Sequence, residues 1–170
     1  MATSPEKCAA LDRLSPAIKH LPPEKRLDMV ESVVEACGAE LPQNLMLTST
    51  QLIELRNSGM AIGAHTVSHP ILALLSHDQA LCEISESRDK LESLLGQPVP
   101  LFAYPNGKYG TDYNDEHVRM LRSLGFSAAL TTTPGAARET TDPWQLPRFT
   151  PWDRTRLRFG LRLVHNFRRY

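Results

Sequence analysis

The chain has 170 residues, 41% of them apolar and 22% charged, which suits one globular domain with a real core and excludes a disordered chain. Lysine plus arginine equals aspartate plus glutamate at 19 each, so the formal net charge is zero. That balance excludes the basic surplus of a general nucleic-acid binder.

The N-terminal "MATSPEKCAALDRL" has no apolar core of leader length, and no later run reaches the length of a membrane span. The expectation from this is a cytoplasmic protein. Residues 1–44 form a helical segment that prolines at 16, 22, 23 and 42 cut into short pieces. In "LPPEKRLDMVESVVEACG", Pro23 suits a first helical position and Gly38 a stop. Leu27, Val30, Val34 and Cys37 fall on one stripe. Cys37 and Cys82 are expected to be small buried helix residues. With Cys8 they make three widely spaced cysteines and no CxxC pair, which points to reduced thiols.

A second region, residues 45–153, alternates helix and strand. "TSTQLIELRNSG" predicts a capped helix with Leu52 and Leu55 facing inward. "MAIGA" predicts a short buried strand. "SHDQALCEISESRDKLESLLG" predicts the clearest helix: Ser76 and Gln79 form a capping box, Ile84 lies on the apolar face, and Gly96 is the stop. "VPLFAY" predicts a strand, "DEHVRMLRSLG" a helix, and "FSAALTTT" a further strand. Such an order implies parallel strands joined by right-handed crossovers. Ligand sites in such folds lie at the carboxyl ends of the strands. Residues 154–170 carry six arginines and no acid. They predict a last basic helix with a solvated face, or one that meets an anionic surface such as a membrane.

Two loops follow strands and should open onto one face. "HTVSHP" places His65 and His69 four residues apart, a spacing at which two imidazoles can share a zinc ion. In "FAYPNGKYG", the turn formers Pro105, Asn106 and Gly107 suit a tight bend, and Tyr104 with nearby backbone N–H groups suits stabilisation of an oxyanion. Against this, His20, His77 and His117 read as surface residues. His165 becomes a site residue only if the basic tail folds over the same face. Cys82 lies on an apolar helix side and makes a poor nucleophile.

From about Leu47 to Trp152 the motifs come in a recognisable order: "GMAIGAHTVSHPILALLS", a helix, "GQPVPLFAYPNG", "LGFSAALTT" and "LPRFTPW". In that order they resemble the polysaccharide deacetylases with a NodB homology domain, carbohydrate esterase family four. The resemblance implies an α/β fold of the distorted (β/α) barrel type, here partial and lacking its first strand. It implies metal-dependent hydrolysis of the acetamide of an N-acetylhexosamine-containing glycan, an exopolysaccharide for instance. His65 and His69 match the family's metal ligands, with zinc or a similar divalent ion as the cofactor. Tyr104 matches the catalytic position next to the oxyanion, with Pro105 and Asn106 lining the substrate groove. The family's "TFDD"-like aspartate pair, its general base and third ligand, has no counterpart. The chain is therefore expected to be cut upstream, with a weak or incomplete metal site and little or no activity of its own. Asp112, Asp142 and Asp153 are the loop carboxylates available as substitutes. The rival expectation is a non-catalytic carbohydrate-binding or regulatory remnant. A glycan is the expected partner, and the sequence leaves the oligomeric state open.

Overall fold

The computed structural model describes residues 3–38, 40–150 and 152–168. Two compact units divide between Leu47 and Thr48. The first is a pair of helices, α1 (Ser4–Lys19) and α2 (Pro23–Cys37). Gly38 closes α2 in the left-handed conformation, with φ 56°. On the apolar stripe of α2, Leu27 is 59% exposed and Val30 41%, while Val34 is half-buried.

The second unit mixes helix and sheet. It contains α3 (Ser49–Asn57), α4 (His77–Leu95), β1 (Leu101–Ala103), α5 (Asp115–Ser123), β2 (Ala128–Leu130) and α6 (Arg156–Arg168). Single-turn 3₁₀ segments stand at Leu72–Leu74 and Pro143–Gln145. Local sequence explains the helix ends. Thr48 accepts a hydrogen bond from the Gln51 N–H, and Ser76 accepts one from the Gln79 N–H. Gly96 ends α4 with φ 65°, a conformation that glycine adopts without steric cost.

Strands β1 and β2 pair in parallel, Phe102 against Ala129. The expected "MAIGA" strand is reduced to one parallel bridge, Ala64 to Phe102. The Ala64 N–H donates to the Leu101 carbonyl at 2.8 Å, and the Ala103 N–H donates to the Ala64 carbonyl at 2.9 Å. Met60, Ala61 and Gly63 around it are exposed and bring little side chain to bury. A fourth parallel lane comes from Leu146, bridged to Leu130. Its N–H donates to Ala129, and its carbonyl accepts from the Thr131 N–H. The lanes therefore run Ala64, β1, β2, Leu146, each beside its successor in sequence.

The core lies between these lanes and helices α4 and α5. Phe102 meets Tyr104 and Phe126 edge-on, each at 5.4 Å between ring centroids. Ile84 of α4 and Leu121 of α5 are fully buried against this cluster. Burying such a side chain contributes about 1.5–3 kcal/mol.

Two further expectations change. All three cysteines are exposed, and Cys82 donates its thiol proton to Glu86 one turn along α4. His117 is buried, only 3% exposed. Its Nδ1 accepts from the Asn114 N–H, so the ring closes the first turn of α5 and leaves the surface. Burial depresses its pKa.

Candidate functional site

Because the lanes are parallel, their carboxyl ends emerge together. Four loops leave that end: His65–His69, Tyr104–Gly107, Thr131–Thr133 and the segment after Leu146. Hydrogen bonds stitch them edge to edge. His65 Nδ1 lies 2.7 Å from the Ala103 carbonyl. The Thr132 N–H donates to Gly107 and its hydroxyl to the Asn106 carbonyl, at 3.0 and 2.6 Å. The Arg148 N–H donates to Thr133 at 2.9 Å.

The His65 contact fixes more than position. A carbonyl oxygen only accepts, so Nδ1 must carry the proton. In the neutral ring this leaves Nε2 as the bare lone pair, the arrangement that metal-ligating histidines adopt. His69 meets His65 edge-on, with ring centroids 4.8 Å apart and planes at 76°. Two left-handed residues make this turn: Thr66 at φ 65° and His69 itself at φ 56°. Non-glycine residues rarely hold that conformation without outside support.

Glu83 on α4 supplies support. One carboxylate oxygen accepts the Val67 and Ser68 N–H groups at 2.7 and 2.9 Å, and the other accepts the Ser68 hydroxyl at 2.6 Å. Sequence reasoning missed this clamp. Glu83 carries no motif and lies on the next helix, so only the packing of α4 beside the loop reveals it.

In chemistry the pair could offer a divalent cation two imidazole ligands. Among the described residues, no group of three His, Cys, Asp or Glu side chains is placed to hold a metal. The three candidate carboxylates have other partners. Asp112 is buried and accepts from the Lys108 N–H. Asp142 caps the Pro143–Gln145 turn and pairs with Arg122 at 2.9 Å. Asp153 pairs with Arg162.

At the second loop the structure separates three neighbours. Tyr104 is 2% exposed and stacks on Tyr113, with centroids 3.7 Å apart. Burial, then Tyr113, pushes its phenol far above the usual tyrosine range. Its hydroxyl donates to the Trp144 carbonyl and its backbone N–H to Leu130. Both hydrogen-bond donors of Tyr104 are thus taken up inside the fold. Pro105 is also buried. Asn106 turns the chain with φ 58°, and its N–H has no partner among the described residues. Gly107 follows at φ 72°, where an added Cβ would sit 2.8 Å from the Thr132 nitrogen.

A cavity of about 620 Å³ opens beyond Thr132, lined by Arg148, Phe149, Trp152, Arg162, His165 and Asn166 among others. Helix α6 therefore carries His165 to the loops that leave β2 and Leu146. A smaller cavity of about 420 Å³ lies against Tyr109, Tyr113, Thr131 and Gln145. Neither lining includes His65 or His69, which stand on an exposed rim.

The sequence model of the polysaccharide deacetylase family matches residues 30–129. Among curated proteins, YxkH of Bacillus subtilis (strain 168), whose name places it among polysaccharide deacetylases, is 26% identical over 119 residues, 70% of this chain and 41% of that protein. Among solved structures, the Streptococcus pyogenes deacetylase PplD in complex with acetate is 28% identical, with a TM-score of 0.64 over 74% of this chain and 52% of that one. BC0361, a polysaccharide deacetylase from Bacillus cereus, is 25% identical, with a TM-score of 0.52 over 64% of this chain and 33% of that one. The chain thus spans about half, or less, of each of these relatives.

Proposed function

Because the chain belongs to the polysaccharide deacetylase family, a family of hydrolases acting on carbon–nitrogen bonds, we propose that it carries the histidine part of a metal-dependent N-deacetylase site for an N-acetylhexosamine-containing glycan. The observation that carries this reading is the His65–His69 pair, with His65 Nδ1 held by Ala103 so that Nε2 is left as the ligand atom. His65 and His69 would hold zinc or a similar divalent ion, which when bound polarises an amide carbonyl and the attacking water. The acetate bound by the Streptococcus pyogenes deacetylase supports acetyl release as the parent reaction. The run of parallel lanes from Ala64 to Leu146 supports an arc of a (β/α) barrel as the scaffold.

The chain's own residues do the remaining work. Glu83 and Ala103 orient the two rings. The Asn106 N–H, one bend away, is the donor for a developing oxyanion, a role for which Tyr104 has no group to spare. Asn106, half-buried at the bend, faces the substrate, and the buried Pro105 fixes the bend beneath it. Among the described residues no third His, Cys, Asp or Glu joins the pair to hold a metal, and on this reading the chain alone lacks a general base and works weakly or not at all. A missing base lowers the rate by about 10²–10⁴-fold.

The second reading, a glycan-binding remnant without chemistry, is favoured by the cavity beside α6, where Trp152 and Phe149 offer rings to a sugar face and Asn166 an amide. Acetate release from N-acetylated chito-oligosaccharide, with zinc present, separates the two. A trace rate that vanishes in both His65→Ala and His69→Ala supports the deacetylase reading. Oligosaccharide binding with no release, unaltered by zinc and equal in the wild type and both histidine variants, supports the remnant and overturns it.

A further inference from the structure

We propose that α6 is a membrane-surface helix that seats this chain on an anionic lipid bilayer. The helix has two sides with different fates. Asn166 is buried, Gly160 and Leu163 are half-buried, and the Phe159 ring meets Phe149 at 5.9 Å. Arg162 is tied to Asp153 at the base. These contacts fix the helix to its own unit and decide which side is left outward.

The outward side is apolar where a solvated helix should be polar. Leu157 is 74% exposed, Leu161 63%, Val164 50% and Phe167 62%. Leu157, Leu161 and Val164 follow i, i+4, i+7, so they form one stripe. Each stripe residue is followed by a basic one: Arg158, Arg162, His165 and, after Phe167, Arg168. Arg154 and Arg156 precede the stripe, and no acid occurs from 154 to 168. An apolar stripe with arginines alongside it is the pattern of a helix lying in the plane of a bilayer interface, where the apolar side enters the acyl boundary and the guanidinium groups meet lipid phosphates. Trp152, just before the helix, is 82% exposed. An exposed indole has its favoured place at headgroup depth. The charge decides for an anionic bilayer over a second copy of the chain, since two copies of α6 would bring like charges together.

Vesicle co-sedimentation of the full chain tests this, using vesicles of roughly one-third phosphatidylglycerol in phosphatidylcholine, with phosphatidylcholine alone as control. Pelleting with the anionic vesicles is expected at about 0.1 M salt, with a blue shift of Trp152 emission. Binding should fall about tenfold or more at high salt and on neutral vesicles. Leu157→Glu/Leu161→Glu should lose binding about tenfold or more, and Arg156→Gln/Arg158→Gln should lose preference for the anionic lipid. Unchanged melting temperatures show that these variants still fold, since the substituted side chains all face solvent. Equal pelleting of wild type and the double leucine variant overturns the proposal. So does concentration-dependent dimerisation that the leucine variant abolishes while vesicle binding is absent throughout.

Discussion

Helices α2 and α4 carry similar stripes in the sequence and do different things in the structure. On α2, Leu27 and Val30 remain in water. On α4, Ala80 and Ile84 are completely covered by the cluster around Phe102 and Leu121. Apolar spacing records that a helix can pack, and whether it does depends on what lies opposite. Opposite α4 lies a run of parallel lanes with aromatic side chains. In the first unit, no described residue of α1 or α2 is buried. Candidate chemistry follows the same division, since both loops of interest leave the lanes that α4 helps to cover.

The sharpest contrast comes from truncating the two stripes. Ile84→Ala should destabilise the chain by about 2–5 kcal/mol, read by chemical denaturation. At Gly107, alanine meets the Thr132 nitrogen in a left-handed conformation, and a loss of about 1–3 kcal/mol is expected, with the Asn106 bend displaced. Glu83→Ala removes three hydrogen bonds from the histidine loop. It should cost about 1 kcal/mol of stability but weaken zinc binding about 10–100-fold, as loss of an orienting group does.

A pH dependence comes next. The folded pKa of His117 lies below its unfolded value because burial disfavours the charged ring. The folded state therefore binds fewer protons, and stability is complete above about pH 6.5 and declines as pH falls below it. Denaturation midpoints between about pH 7 and 5.5 should fall for the wild type and stay flatter for His117→Gln. Carboxylates such as Asp142 contribute only at more acid pH, where their own depressed values lie. The smallest effect is expected at Leu27→Ala, within about 0.5 kcal/mol, because the side chain is already in water. A loss as large as that of Ile84→Ala would erase the contrast between the two helices.

Much of this was legible in the sequence where the cause is local. The ends of α4 follow from Ser76, Gln79 and Gly96, each acting within one turn. The order of helices and strands followed from spacing and turn formers. What depended on distant partners was not legible. The "MAIGA" strand keeps a single bridge, and its neighbours Met60, Ala61 and Gly63 stay exposed. The polarity of His117 reads as a surface residue and masks its position in the α5 cap. At the bend, the sequence offered Tyr104 with nearby backbone N–H groups; the Tyr104 N–H pairs with Leu130, whereas the Asn106 N–H has no partner among the described residues. The Glu83 clamp depends on α4 lying beside the loop, which no motif announces.

His65 and His69 are proposed to act together as a metal-binding pair. Zinc titration of the full chain by calorimetry, with Cys8, Cys37 and Cys82 changed to serine to remove their exposed thiols, tests this most directly. One zinc per chain, bound more weakly than by a three-ligand site and lost in both His65→Ala and His69→Ala, is the predicted result. Equal zinc binding by the histidine variants and their parent would contradict it.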